Sequence, residues 1–161
     1  YKDELLNNIK ELNKKSILTT LIYFIIGFLL MMLSNYIINY IIIPNGISNN
    51  EQDNRNLLLN NKLLYGLLLS LIIPYIEEIV FRLSFKKSIN NNIIFIILSS
   101  TIFGLLHIIS STKLIELLYF IPYFILGLTF STIYTKTNNI FCSTISHILN
   151  NTITVLVILL F

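Results

Sequence analysis

The stretch "LLYGLLLSLIIPYIEEIVFRLSF", residues 63–85, decides the fold, because it has the length of a membrane-spanning helix and yet contains three charged residues. A helix needs about 20 predominantly apolar residues to cross the hydrocarbon core of a bilayer. Glu77, Glu78 and Arg82 lie within this one. An ionised side chain at that depth costs about 3 kcal/mol or more, so it marks either a functional site or a compensated structural pair.

The composition of the 161-residue chain is that of a membrane protein. Hydrophobic residues make up 55% of the sequence and charged residues 12%, which is about half the charged share of soluble domains. The net charge is +3, but the basic residues are scattered along the chain, so we expect no nucleic-acid partner. The lipid bilayer is the partner that this composition predicts.

The hydropathy pattern predicts about five transmembrane helices. We therefore expect an all-α fold, a multi-pass transmembrane helical bundle in which residues 17–161 form one domain. The predicted spans are residues 17–43, 63–85, 93–109, 114–134 and 140–161. The polar connection "PNGISNNEQDNRN", residues 44–56, is predicted to be a solvent-exposed loop.

Residues 1–16, "YKDELLNNIKELNKKS", form an amphipathic N-terminal segment ahead of the first span. Helical periodicity places Leu5, Leu6, Ile9 and Leu12 on one face and the charged residues opposite. This pattern predicts a helix that lies at the membrane surface or extends the first span.

The second predicted span carries an E-E-x-x-x-R motif. Glu78 and Arg82 are four residues apart, so they can pair along one helix face. Glu77 points about 100° away from Glu78 around the helix, which leaves it without that partner. The Glu78–Arg82 pair alone could be a structural ion pair that holds helices together. An unpaired Glu77 within a span instead indicates a functional site.

Two other predicted spans each contain one of the two histidines of the chain. Phe103 and His107 form F-x-x-x-H, and His147 and Asn151 form H-x-x-x-N. Taken singly, each has an ordinary explanation, such as a histidine bonded to a backbone carbonyl or an asparagine that joins two helices. Independent accidents on three helices are improbable together, so we expect Glu77, His107, His147 and Asn151 to line one water-accessible cavity.

These side chains suit the hydrolysis of an amide or an ester beside the membrane. A carboxylate such as Glu77 can act as a general base or acid toward water, and imidazole and amide groups can stabilise the resulting oxyanion. In a second arrangement, Glu77, His107 and His147 hold one divalent metal ion such as zinc and leave an open position for water. The sequence leaves both arrangements open.

Other protease chemistries lack their motifs. The sequence has no H-E-x-x-H and no G-x-S-x-G. No aspartate lies within the predicted spans, which excludes an aspartyl dyad. Ser99, Ser100 and Ser146 are scattered and have no orienting acid nearby in the sequence, so we expect them to be helix-packing residues.

The ordered trio E-E-x-x-x-R, F-x-x-x-H and H-x-x-x-N on separate helices resembles the CPBP family. This family comprises the type II CAAX prenyl endopeptidases and the bacteriocin-processing or bacteriocin-immunity (Abi) proteins. The stretch "ILGLTFSTIYTKTNNIFCSTISHILNN", residues 125–151, also resembles the family's segment leading into the last motif. The resemblance runs from about Leu63 to the C-terminus and implies an intramembrane protease.

Carried over to this chain, the resemblance implies that Glu77 activates the attacking water. Glu78 would lie beside it, and Arg82 would support the pair. His107 would share the proton-transfer role.

His147 and Asn151 would then stabilise the oxyanion. The five predicted spans are fewer than in the eukaryotic CAAX enzymes, which weakens the transfer of a prenylated substrate to this chain. A peptide or a membrane-protein terminus is the expected substrate.

Two other functions remain open at this point. A non-catalytic immunity or scaffold protein could have the same fold. A proton- or cation-coupled transporter could also use intramembrane glutamate and histidine, but it should show repeated halves with interrupted helices. Pro74 and Pro122 are the only hints of interruption in the spans, and no repeat is apparent.

The basic residues predict the orientation in the cell membrane, with the N-terminus cytoplasmic and the C-terminus outside. In this orientation eight of the eleven basic residues fall inside: Lys2, Lys10, Lys14, Lys15, Arg82, Lys86, Lys87 and Lys136. If Arg82 is buried in the bundle instead, seven still fall inside. Three fall outside: Arg55, Lys62 and Lys113.

Cysteine labelling tests this orientation. A thiol reagent that does not cross membranes should label Asn50→Cys in intact cells, and it should label Asn91→Cys only after the cells are permeabilised. The opposite pattern would show that the N-terminus is outside.

Overall fold

The computed structural model describes residues 2–160, and all the regular secondary structure in this part of the chain is helical. We number seven helices in chain order. They are α1 (Lys2–Lys10), α2 (Lys14–Ile42), α3 (Asn49–Asn60), α4 (Lys62–Lys87), α5 (Asn92–His107), α6 (Leu114–Thr137) and α7 (Ile140–Leu160).

The predicted all-α, multi-pass bundle is confirmed. In the part of the chain that the structure describes, four helices are long and apolar enough to cross a membrane, namely α2, α4, α6 and α7. The helix of the predicted third span, α5, has 16 residues, or about 24 Å at 1.5 Å per residue, which is shorter than the roughly 30 Å hydrocarbon core. It ends at His107 rather than at residue 109. The last residue of the predicted fifth span, Phe161, lies outside the described residues.

The prediction of a loop over residues 44–56 is wrong, because helix α3 begins inside it. The side chain of Ser48 caps the helix by accepting a hydrogen bond from the Glu51 N–H at 3.2 Å. Leu58 is buried and packs with Leu69 of α4 and Val155 of α7. The polar first half of α3 hid the helix from the hydropathy pattern, since the residues that anchor it come only in its second half.

Helix α1 is separate from the first span. It ends at Lys10, and Asn13 then caps α2 by accepting a hydrogen bond from the Ser16 N–H at 3.0 Å. Of the two placements predicted for the N-terminal segment, an extension of the first span is therefore wrong. The segment is fixed at one end of the bundle by Asn8, whose side-chain oxygen accepts a hydrogen bond from the Ile140 N–H at 2.7 Å.

Helix α6 lies at the centre of the bundle, where it packs against α2, α5 and α7, while α4 packs mainly against α7. Its Gly127 lets α5 approach closely: a Cβ at this position would lie 2.8 Å from the Cα of Ser100. Small residues allow such close contacts between membrane helices. The Gly127 carbonyl also accepts a hydrogen bond from Nη2 of Arg82 at 3.4 Å, so this contact connects α6 to the E-E-x-x-x-R motif of α4.

We expect Gly127→Ala to destabilise the bundle. The added methyl group meets the backbone of α5, and overpacking of this kind costs roughly 1–3 kcal/mol. The matched control is Gly66→Ala, because the nearest atoms to a Cβ there are side-chain carbons at 3.9 Å and 4.0 Å. Thermal unfolding in detergent should show a lower melting temperature for Gly127→Ala and an equal or higher one for Gly66→Ala. Equal losses in the two variants would contradict this account of the α5–α6 contact.

Candidate active site

One cavity of about 230 Å³ brings together the polar side chains predicted from three separate helices. Glu77 reaches it from α4, His107 from the end of α5, and His147 and Asn151 from α7. The expected convergence of these four residues is therefore observed.

The backbone of α4 departs from α-helical geometry on both sides of the two glutamates. It has π-helical hydrogen bonding over Leu68–Ile72 and again over Ile79–Ser84. Short π-helical segments are frequent at functional sites because the extra residue changes the direction of the side chains around them. In α4 the two segments flank the short α-helical turn that carries Glu77 and Glu78.

The first π-helical segment also determines what Asn151 contacts. In this segment the N–H of a residue bonds to the carbonyl five residues earlier, as the Ile73 N–H does to the Leu68 carbonyl. The next bond of this kind would join residue 74 to the Leu69 carbonyl, but residue 74 is a proline and has no N–H. The side-chain amide of Asn151 donates to the Leu69 carbonyl instead, at 3.0 Å. Helix α7 thus satisfies a backbone group that Pro74 leaves open in α4.

Glu78 and Arg82 form the ion pair that their spacing predicts. Nε of Arg82 lies 3.4 Å from Oε2 of Glu78, and both side chains are fully buried. The guanidinium carbon lies 5.0 Å from the ring centre of Phe103, which adds a cation–π contact. Neither charged residue lines the cavity. The pair lies behind the cavity wall, where it can act on the site only through other residues.

His147 connects this pair to Glu77. Its Nδ1 lies 3.0 Å from Oε1 of Glu78, and its Nε2 lies 3.5 Å from Oε2 of Glu77. The imidazole also stacks on Phe130, with ring centres 4.5 Å apart. The expectation that Glu77 has no partner is therefore wrong. The spacing of residues along α4 indicates only which side chains of that helix lie near Glu77. It could not indicate that His147 of α7 contacts Glu77.

Of the two glutamates, Glu77 has the accessible carboxylate. It is 24% exposed and lines the cavity, whereas Glu78 is fully buried. An ionised Glu78 can only accept hydrogen bonds, so its contact assigns a proton to Nδ1 of His147. Nε2 is then the nitrogen that can exchange a proton with Glu77 or with a molecule in the cavity.

His107 is held by three contacts. Its Nδ1 lies 2.8 Å from the Phe103 carbonyl, which only accepts, so Nδ1 carries a proton and Nε2 has the lone pair in the neutral ring. The imidazole lies against Phe103 at 4.4 Å and stacks on Tyr123 at 4.6 Å between ring centres. Both neighbouring rings also line the cavity.

Asn150 and Tyr123 are cavity residues that the sequence analysis missed. Asn150 is buried and donates through Nδ2 to the side-chain oxygen of Asn151 at 3.2 Å, which fixes the orientation of that amide. Its spacing of three residues from His147 could have revealed it, because residues three apart share a helix face. Tyr123 lies outside every predicted motif, and no sequence signal identified it.

The proposed metal ligands do not fit a single ion in this arrangement. Among the described residues, no three His, Cys, Asp or Glu side chains are grouped so that they could hold a metal. Nδ1 of His147 is bonded to Glu78 and Nδ1 of His107 to the Phe103 carbonyl, so each histidine has only Nε2 left for a metal. We therefore assign no metal to Glu77, His107 and His147.

Comparison with known proteins identifies the family. The family described as "Type II CAAX prenyl endopeptidase Rce1-like" matches residues 59–153, which is more than half of the chain. No curated protein and no solved structure matches. The matched region contains all six residues singled out in the sequence: Glu77, Glu78, Arg82, His107, His147 and Asn151. The chain belongs to the Rce1-like family of type II CAAX prenyl endopeptidases.

Proposed function

We propose that this protein is an intramembrane endopeptidase that hydrolyses a peptide bond of a membrane-associated peptide or protein with a water activated by Glu77. Membership of the family supports a protease of the CAAX type. The observation that carries the proposal is the position of Glu77: it is exposed to a cavity inside the bundle, 3.5 Å from His147, while its neighbour Glu78 is buried.

Glu77 is the general base of the proposed reaction. One of its carboxylate oxygens takes a proton from water as the water oxygen attacks the carbonyl carbon of the scissile bond. When the tetrahedral intermediate collapses and the C–N bond breaks, the same proton passes to the departing amine. His107, whose Nε2 has a free lone pair in the neutral ring, shares these proton transfers from the other side of the cavity.

His147, with a proton on Nε2, and Asn151 stabilise the oxyanion. The Asn151 amide has two N–H groups, and its bond to the Leu69 carbonyl occupies one of them. The second N–H can donate to the oxyanion. Donors fixed in advance by the fold stabilise developing charge without a reorganisation cost, and the contacts of Asn151 with Leu69 and Asn150 provide that fixation.

Glu78 and Arg82 are positioning residues in this mechanism. Glu78 holds Nδ1 of His147 at 3.0 Å and so directs Nε2 toward Glu77. Arg82 neutralises the Glu78 charge within the bundle. Both residues act through His147, since neither reaches the cavity.

We further propose that the protein lies in the cell membrane with its N-terminus cytoplasmic. Helix α2 then runs outward, which places α3 at the outer face. Ser48, Asn50, Glu51 and Asn54, at the start of α3 and within it, line the cavity, so the cavity opens toward that face. Peptides or membrane-protein termini that reach the outer part of the bilayer are the expected substrates.

The proposal is tested by incubating the purified, detergent-solubilised protein with a library of membrane peptides and identifying cleaved bonds by mass spectrometry. Cleavage by the wild type that disappears with Glu77→Gln supports it. If the wild type cleaves nothing, a non-catalytic immunity or scaffold protein becomes the better description of the chain.

Glu77→Gln should abolish most of the activity and leave the fold intact. Glutamine keeps the shape of the side chain but cannot accept a proton from water, so cleavage should fall by at least about 10²-fold. The melting temperature should stay close to that of the wild type, because Glu77 is partly exposed and is not part of the buried pair. Wild-type cleavage rates in this variant would show that the proposed mechanism is wrong.

Glu78→Gln is the matched control, one residue away with the same chemical change. It leaves the Arg82 guanidinium buried without its anion, and breaking a buried pair in this way costs about 3–5 kcal/mol. We expect a clearly lower melting temperature or yield, in addition to any loss of cleavage. Melting temperature and cleavage should be measured on the same preparation. If the two variants have the same stability, the buried pair does not have the structural role assigned to it.

A chelator distinguishes the two arrangements that the sequence left open. Because no three His, Cys, Asp or Glu side chains of residues 2–160 are grouped as metal ligands, we expect cleavage to persist after dialysis against EDTA or 1,10-phenanthroline. Loss of cleavage with the chelator, and recovery on adding zinc, would favour a metal centre and a rearrangement of the site.

A further inference from the structure

Tyr123 of α6 connects helix α3 with His107. Its hydroxyl oxygen lies 2.9 Å from Oγ of Ser48, the residue that caps α3, and accepts a hydrogen bond from Nδ2 of Asn50 at 3.2 Å. Its ring stacks on the imidazole of His107, with centres 4.6 Å apart and planes inclined by 29°. One side chain thus contacts both a wall of the cavity and a candidate catalytic group.

We propose that Tyr123 is a positioning residue with two separable roles. Its ring holds the imidazole of His107 in place, and its hydroxyl group holds the first turn of α3 over the cavity. The first role rests on the function proposed above, because it concerns His107 as a catalytic group. The second role concerns only the contact between α3 and α6.

The ring role follows from the surroundings of His107. The bond from Nδ1 to the Phe103 carbonyl fixes one edge of the imidazole, and the Phe103 ring lies against it at 4.4 Å. Tyr123 provides the second stacking contact. Without the Tyr123 ring the imidazole has more freedom to rotate, and a misplacement of about 1 Å can reduce a reaction rate by a large factor.

The hydroxyl role follows from the way α3 is attached. Its second half is anchored by Leu58, which packs against α4 and α7. Its first turn is held by polar contacts: Ser48 and Asn50 contact Tyr123, and Asn49 donates to the Ser110 carbonyl at 2.9 Å. Loss of the Tyr123 hydroxyl group should therefore loosen the first turn of α3 and leave the rest of the helix in place.

Chemical modification of the two histidines tests the hydroxyl role without any substrate. Diethylpyrocarbonate modifies accessible imidazoles, and mass spectrometry of the digested protein reports His107 and His147 separately. Tyr123→Phe removes both hydrogen bonds of the hydroxyl group. We therefore expect His107 to be modified at least about fivefold faster, which is the factor for the loss of one ordinary hydrogen bond from the equilibrium that opens the first turn of α3. His147, which is 2% exposed, should remain slow and is the internal reference.

Tyr119→Phe is the matched control. Tyr119 lies one turn earlier on α6 and also lines the cavity, but its hydroxyl group donates to the side-chain oxygen of Asn39, in α2, at 2.8 Å. This variant should not change the modification rate of His107. Equal rates at His107 in Tyr123→Phe and Tyr119→Phe would overturn the hydroxyl role.

Cleavage kinetics test the ring role. Tyr123→Phe keeps the ring and Tyr123→Leu removes it, so kcat of the Leu variant should be lower than kcat of the Phe variant by at least about tenfold. Equal kcat values for the Phe and Leu variants, both with wild-type melting temperatures, would overturn the ring role. If the wild type cleaves no peptide, the proposed function and the ring role fall together, while the modification experiment still decides the hydroxyl role.

Discussion

The structure depends on the burial of the Glu78–Arg82 pair inside an apolar bundle. Two charged side chains with no solvent exposure are stable only if the surrounding protein compensates both charges. Arg82 keeps Nε and Nη1 without a hydrogen bond, so much of its compensation comes from the Glu78 charge, the Gly127 carbonyl and a nearby aromatic ring. Glu78 in turn faces Nδ1 of His147. Three helices, α4, α6 and α7, must therefore meet at this point for the pair to be tolerated.

The irregular backbone of α4 follows from the same requirement. In a regular α-helix the carbonyl groups are hydrogen-bonded within the helix, so few can accept hydrogen bonds from neighbouring helices. The two π-helical segments of α4 contain carbonyl groups that accept hydrogen bonds from side chains of other helices. Asn151 of α7 donates to Leu69, and the hydroxyl group of Ser99 in α5 donates to Phe81 at 2.9 Å. These bonds tie α4 to two neighbouring helices on either side of the glutamates. The distortion of α4 is thus part of what positions Glu77 and Glu78.

The sequence predicted the features that depend on spacing along one helix. Hydropathy revealed the spans, and the four-residue spacing of Glu78 and Arg82 predicted their ion pair. Motifs on three helices also predicted that Glu77, His107, His147 and Asn151 share a cavity, but they could not predict the individual bonds between helices. The partner of Glu77 comes from α7, Tyr123 has no motif, and Asn8 of the N-terminal helix bonds to α7 although more than one hundred residues separate them in the chain. Helix α3 was missed because its anchoring residue, Leu58, follows a polar half that resembles a loop.

The adjacent glutamates differ in burial, and the proposed mechanism gives them different roles. A scaffold with this fold needs Glu78, because Arg82 would otherwise be buried without an acidic partner and Nδ1 of His147 would lose its acceptor. It has no comparable need for Glu77, which is partly exposed to the cavity and lies 3.5 Å from Nε2 of His147. A carboxylate in such a place within a bilayer lowers stability, and an apolar side chain would cost less. Activation of water is a function that a carboxylate can perform there and an apolar side chain cannot. The exposure of Glu77 beside the buried pair therefore supports an enzyme over a scaffold.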